Sequence, residues 1–242
     1  MTFGNLKLLA RAMIPGLKTD VLPDIATSLI TGIDIILNLA VRDIASYTAC
    51  LPTNKKFDAT AAQGSVSSPY IISTAIGNYL TMGGGGLWWN QGTSTSPSWK
   101  KLNPKTVEYL DENRSNWHEV AAGTPEDYAI DGDNLYVVPA PVSSLSSGFW
   151  MFYSKTPSDM STTTHYPFSG TTTELSHLSI FDMAIIYYAR WKSMPMLGKD
   201  VIDNYGINQK LYHAEREEKF SLLKSNMDLA GQAVWQGPIV RP

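Results

Sequence analysis

Residues 127–138 read Asp127-Tyr128-Ala129-Ile130-Asp131-Gly132-Asp133-Asn134-Leu135-Tyr136-Val137-Val138. Asp127 to Ile130 and Leu135 to Val138 are strand-like runs. The four residues between them, Asp131-Gly132-Asp133-Asn134, are turn formers, so the stretch spells a β-hairpin. Outward from the hairpin, Asn54 to Gly170 keeps the same character, rich in Gly, Ser, Thr, Pro and aromatic residues. Further strand-like runs are Tyr70 to Ser73, Gly86 to Trp89 and Phe149 to Tyr153. Asn103 to Glu112 reads as one short helix, with Asn103 as its cap and Pro104 in its first turn. Residues 54–170 are therefore expected to be an inserted antiparallel β-sandwich or barrel.

Both flanks of this region are helical. From Leu22 to Tyr47 the apolar residues Ile25, Leu29, Ile33, Ile36, Leu37, Ala40, Ile44 and Tyr47 recur at steps of three and four. Asp20 is the expected N-cap, Pro23 fits the first turn, and Gly32 marks a close helix crossing. A short helix from Leu6 to Ile14 precedes it and stops at Pro15-Gly16. From Ser176 to Ser193, Leu178, Phe181, Ile185 and Tyr188 form one row beside Ile186 and Ala189, which makes this helix central. A last helix runs from Val201 to Met227. Its segment His213 to Lys219 is highly charged and reads as a solvated face, with Glu215 and Lys219 as an i,i+4 pair. The expected class is α+β: residues 1–53 and 171–229 form a discontinuous helical bundle around the β-rich insertion. Residues 230–242 hold Gly231, Gly237, Pro238 and Pro242, which read as non-helical. They also hold the apolar anchors Trp235, Ile239 and Val240. The segment is either an extended arm that docks on a neighbouring chain or a tail whose Trp235 folds back on its own bundle.

With 43% hydrophobic residues the chain has material for a core, and with only 17% charged residues it is rich in turn formers instead. A net charge of −3 argues against a broad basic surface that grips nucleic acid, but suits a wall that DNA slides past. Cys50 is the only cysteine, which excludes an internal disulfide and a multi-cysteine zinc site. Met1 to Gly16 lacks a cationic segment followed by a clean apolar one, and no run reaches the ~18 apolar residues of a membrane span. The chain is expected to fold in a cytosol.

Catalytic signatures are absent from the pattern. Gly83-Gly84-Gly85-Gly86 is followed by Leu87-Trp88-Trp89-Asn90 rather than by the Lys and Ser or Thr of a phosphate loop, so it reads as a flexible loop. His118, His165, His177 and His213 show no i,i+4 pairing, and no Gly-x-Ser-x-Gly elbow occurs. Asp131 to Asn134 lacks the distal Glu of a calcium loop. Trp88, Trp89, Trp99, Trp117 and Trp150 read as the core of a small β-domain or as a sugar-stacking platform with Glu108, Asp111 and Glu112 as carboxylates. No cofactor, metal or enzymatic activity is expected.

Several stretches together resemble the head-to-tail adaptor proteins of tailed bacteriophages, also called connector or head-completion proteins. They are Ala40-Val41-Arg42-Asp43-Ile44-Ala45, Leu87-Trp88-Trp89-Asn90, Val107 to Asp111 followed by Arg114-Ser115-Asn116-Trp117, Gly123-Thr124-Pro125 through Tyr128, Asp131-Gly132, Val138-Pro139-Ala140-Pro141, Phe149 to Tyr153, and the helix with Phe181-Asp182 and Ile185. The resemblance runs from about Ile30 to Ala189 and rests on the order and spacing of these motifs. It implies a structural virion protein of the neck, assembled in the host cytoplasm without a membrane. Such a protein forms a homo-oligomeric ring, commonly a dodecamer, under the portal protein. The ring extends the DNA channel without sequence-specific binding and docks a downstream stopper or tail-tube protein. On this analogy Trp235, Pro238, Ile239, Val240 and Arg241 form the docking arm, and Glu215, Glu217 and Glu218 face the channel. The alternative is a carbohydrate-binding or carbohydrate-active phage tail protein that uses the tryptophan-rich insertion.

Overall fold

The computed structural model describes residues 1–14, 32–114, 116–193, 195 and 205–229, with side chains of 206–226 in the last span. The expected docking arm, residues 230–242, lies outside the described residues, as do residues 22–31 of the expected first long helix and its expected cap Asp20. The chain is α+β. Among the described residues its compact units are Met1–Leu51 with those from Thr156 to Leu229, and Pro52–Lys155.

The first unit is helical. Helix α1, Phe3–Met13, starts where the Thr2 hydroxyl accepts a hydrogen bond from the Asn5 backbone N–H. Helix α2, Ile33–Thr48, buries the expected row Ile33, Ile36, Leu37, Ala40 and Ile44. Gly32 is its N-cap, in extended conformation, rather than a mid-helix crossing point. The chain returns to this unit after Lys155, and a 3₁₀ turn, Ser176–Phe181, leads into helix α5, Asp182–Ser193. Two further helices between α2 and α5 belong to the second unit. Helix α6, Tyr205–Leu229, follows. Helix α5 packs against α1, α2 and α6, and Leu178, Phe181, Ile185, Ile186 and Ala189 are buried as their spacing requires. The charged run on α6 is not wholly solvated: the Arg216 side chain is only 12% exposed and pairs with Asp43 of α2 at 2.8 Å.

Residues 156–170, expected in the insertion, instead pack with the helices. Met160 and Phe168 are buried in the helical core. Asn38 of α2 clasps the backbone of Met160 twice, donating to its carbonyl at 3.1 Å and accepting from its N–H at 2.9 Å. The reason is tertiary: this irregular segment satisfies its polar backbone on helix side chains.

The second unit holds two four-stranded sheets. Strands β1 (Pro52–Ala59), β3 (Tyr79–Asn90), β4 (Trp99–Lys101) and β8 (Leu145–Lys155) form one in the order β1-β8-β3-β4. Strands β2 (Tyr70–Ile71), β5 (Asn103–Lys105), β6 (Asp127–Asp131) and β7 (Asn134–Val138) form the other, in the order β2-β7-β6-β5. All pairings are antiparallel except β5 with β6, which is parallel. The Asp131–Asn134 hairpin is present, with Gly132 at φ +59°, the left-handed turn geometry that favours glycine. Phe149, Met151 and Tyr153 of β8 share one core with Leu87 and Trp89 of β3 and with Tyr128, Leu135 and Val137 of the second sheet. The opposite face of the second sheet, through Ala129 and Val138, packs on Leu110 and Trp117.

Three local expectations are corrected. Asn103–Lys105 is a strand, because the Asn103 amide donates to Asp127 at 3.0 Å and to the Glu126 carbonyl; the helix α4 begins later, at Val107–Asn113, capped by Thr106. Only Tyr70–Ile71 is strand, because Asp133 accepts from the Ser73 N–H at 2.8 Å and starts a single helical turn, α3 (Ile72–Ala75). The four consecutive glycines are part of β3 rather than a free loop, and the register with β8 shifts between Met82 and Leu87.

Candidate functional site

Catalytic groups are dispersed. Cys50 is buried and its thiol is pushed up to about 11 by that burial, so it stays protonated and unreactive at neutral pH. His118 stacks on Trp117 and lies 3.1 Å from Asp111, which also accepts the Trp117 indole N–H at 2.6 Å. His165 accepts from the Ser161 backbone, and His213 lies 3.2 Å from Arg216. Asp133 of the hairpin turn is engaged by Ser73. Among the described residues, no three His, Cys, Asp or Glu side chains gather into a metal-binding group, and no helix is long and apolar enough to cross a membrane.

The five tryptophans of the second unit separate by strand parity. Neighbouring residues of a strand point to opposite faces, so Trp89 enters the core beside Phe149 while Trp88 faces out. Trp117 is buried under the second sheet. Trp88, Trp99 and Trp150, joined by Phe152, are half-buried on the outward face of the β1-β8-β3-β4 sheet. Trp150 lies 5.4 Å from Trp99 and 4.6 Å from Phe152, and Phe152 lies 6.4 Å from Trp88 between ring centroids. Register places Lys56 opposite Trp150, Trp150 opposite Trp88, and Trp88 opposite Lys101, giving one row across all four strands. Of the two readings of the five tryptophans, the β-domain core holds for Trp89 and Trp117, while Trp88, Trp99 and Trp150 form an outward face with Phe152. The carboxylates Glu108, Asp111 and Glu112 lie on α4 or at its turns, and Asp111 serves Trp117 and His118.

Glycine at 85 is what lets this face form. A Cβ there would lie 2.5 Å from the Phe152 ring, and the Gly85 carbonyl accepts the Trp88 indole N–H at 2.8 Å. Gly85→Ala is expected to force Phe152 off its seat and to cost about 1–3 kcal/mol, the range for overpacking. A lowered urea midpoint together with a changed Trp88 emission would show it; an unaltered midpoint would mean that the strand yields without cost.

The helical unit presents a different kind of surface. Ile207, Leu211 and Leu222 of α6 are 57%, 41% and 45% exposed and share one helix face, four and eleven residues apart. Ile35 and Leu39 of α2 form a second exposed pair at the same spacing of four. Of the acidic residues expected at a channel, Glu215 is half-buried and lies 3.5 Å from Lys219, Glu218 pairs with the same lysine at 2.8 Å, and Glu217 is exposed. Trp235, Pro238, Ile239, Val240 and Arg241 lie outside the described residues. The motifs that carry the family resemblance fall on packing positions: Arg114 meets buried Asp127 at 2.7 Å, and Trp117 packs edge-on to Tyr136. No family model matches the chain, and no curated protein matches it.

Proposed function

We propose that the chain is a structural head-to-tail adaptor of a tailed-phage virion, a helical bundle carrying an inserted β-sandwich. It assembles as a homo-oligomeric ring under the portal, extends the DNA channel and receives the next neck or tail protein. The observation that carries this reading is the pair of exposed apolar stripes on α2 and α6. A ring built head to tail needs two unlike faces on each subunit, and Ile35 with Leu39 on one helix and Ile207 with Leu211 on another supply two. The order of the family-like motifs supports the same reading. On it, exposed Glu217 and Glu218 line the DNA passage, and residues 230–242 reach a neighbouring chain.

Negative-stain imaging and co-sedimentation with the portal protein of the same phage test the proposal. Rings that seat on the portal are expected. Leu211→Glu is expected to leave the helical circular dichroism intact and to abolish the rings, because a desolvated carboxylate without a partner is strongly unfavourable in an interface. Absence of rings and of co-sedimentation with the unaltered chain would sink the adaptor reading.

A further inference from the structure

The row Lys56-Trp150-Trp88-Lys101 crosses every strand of the first sheet, with Trp99 and Phe152 beside it. Adjacent strands lie about 4.8 Å apart, so the row spans about 14 Å. We propose that this face is a binding site for an acidic oligosaccharide, stacked on the aromatic rings and paired through its carboxylates with the ammonium groups of Lys56 and Lys101. The site is independent of the adaptor reading and adds a ligand to the β-rich unit.

The chemistry follows from what the side chains have left to offer. The Trp88 indole N–H is spent on the Gly85 carbonyl at 2.8 Å, and the Trp150 N–H on the Asn54 side-chain oxygen at 3.0 Å. Both rings are therefore fixed in orientation with no indole donor left to offer, and the Lys56 ammonium lies over the Trp150 ring, where an acidic substituent of a stacked sugar would meet it. An aromatic face carries partial negative charge, which attracts the weakly positive C–H groups on the apolar side of a pyranose ring. Trp99, Trp150 and Phe152 are tilted by 58° and 42° to one another, a stepped surface that suits a chain of puckered rings.

Charge then selects among saccharides. Lys56 Nζ lies 5.2 Å and 5.3 Å from the Trp99 and Trp150 ring centroids, and Lys101 Nζ is 3.2 Å from the Gly84 carbonyl. The row contains no carboxylate; Asp58, further along β1, accepts from the Ser147 backbone at 2.8 Å. Two cations on the same face as the indoles complement a chain that carries carboxylates. A single nucleic-acid strand fits less well, since affinity for it scales with the number of phosphates neutralised and the row offers two ammonium groups. A protein partner fits less well too, because lysine is depleted from the cores of protein interfaces.

The test titrates the full chain with oligogalacturonate and with a malto-oligosaccharide of equal length, reading tryptophan emission and heat, and screens an array of acidic glycans. Binding of an acidic glycan is expected, with the neutral chain about tenfold weaker or more. Trp150→Ala is expected to abolish binding. Lys56→Glu, at an exposed position that does not threaten the fold, is expected to weaken it by about tenfold, the scale of one charge-assisted contact reversed. A silent acidic array overturns the proposal, as does unchanged glycan binding by Lys56→Glu and Trp99→Ala. Binding of oligothymidylate or of portal protein through this face, without any glycan, overturns it equally. Portal plays no part in the glycan assay, so loss of the adaptor reading leaves this result standing.

Discussion

Phe149→Ala is expected to cost the β-rich unit about 3–5 kcal/mol, the range for emptying an aromatic site in a packed core. Phe149 is wholly buried on β8, an interior strand hydrogen-bonded to β1 on one side and to β3 on the other. Its ring stacks on Phe57 at 5.3 Å, meets Tyr70 edge-on at 5.4 Å and lies 5.1 Å from Trp89. Phe57, Tyr70 and Trp89 come from three different strands, so none can collapse into the cavity without breaking its own pairing. A domain commonly has 5–15 kcal/mol in all, and this single truncation removes a large share of it. Five of the seven tryptophans lie within residues 52–155, which makes urea unfolding followed by tryptophan emission the direct measurement. Phe149→Leu keeps most of the volume and is expected to lose about 1–2 kcal/mol. Equal losses for the two variants would mean that cavity formation is not what holds this core.

The hairpin at 127–138 was legible because two signals agree there: the Asp-Gly turn and the apolar residues on either side. The row Leu178, Phe181, Ile185 was legible for the same reason, one period repeated without interruption. Asn103-Pro104 was not, since a cap residue followed by proline fits a helix start and a strand equally well, and the choice is made by Asp127 from another part of the chain. The quadruple glycine misled by composition. Gly85 leaves room for Phe152, which is 67 residues away in sequence and adjacent through strand pairing. Residues 156–170 have no period at all, and Asn38 of α2 decides where they belong.

The aromatic face was half legible. Two successive tryptophans in a strand must face opposite ways, so Trp88 and Trp89 separate on sequence alone. Bringing Trp99 and Trp150 to the same side as Trp88 requires the order β1-β8-β3-β4, in which the first and last strands of the unit are neighbours. No local pattern carries that order. The charged run on α6 shows the same limit: its composition reads as a solvated face, yet Arg216 turns inward because an acceptor on α2 awaits it.

That acceptor, Asp43, carries the second large effect. Its carboxylate accepts from Arg216 at 2.8 Å and from the Tyr212 hydroxyl, joining α2 to two successive turns of α6. Tyr212 is fully buried, and the Arg216 guanidinium lies 3.8 Å over the Tyr47 ring. Asp43→Ala leaves a buried hydroxyl without its acceptor and a largely buried cation without its counter-ion. Breaking a wholly buried pair costs about 3–5 kcal/mol, but the Asp43 side chain is 42% exposed, so water screens part of the loss and about 2–3 kcal/mol is expected. Asp43→Asn keeps an acceptor and is expected to lose less. Burial first, and then Asp43, raises the Tyr212 phenol above its ordinary value. An unfolded tyrosine ionises near pH 10, so above that pH the unfolded chain releases a proton that the native chain keeps, and stability falls as pH rises. Removing Asp43 takes away one of the raising causes and is expected to make that alkaline decline smaller. Helical circular dichroism against urea at neutral pH and at alkaline pH measures both effects. A variant as stable as the unaltered chain at neutral pH would mean that α6 is held by its apolar contacts and not by Asp43.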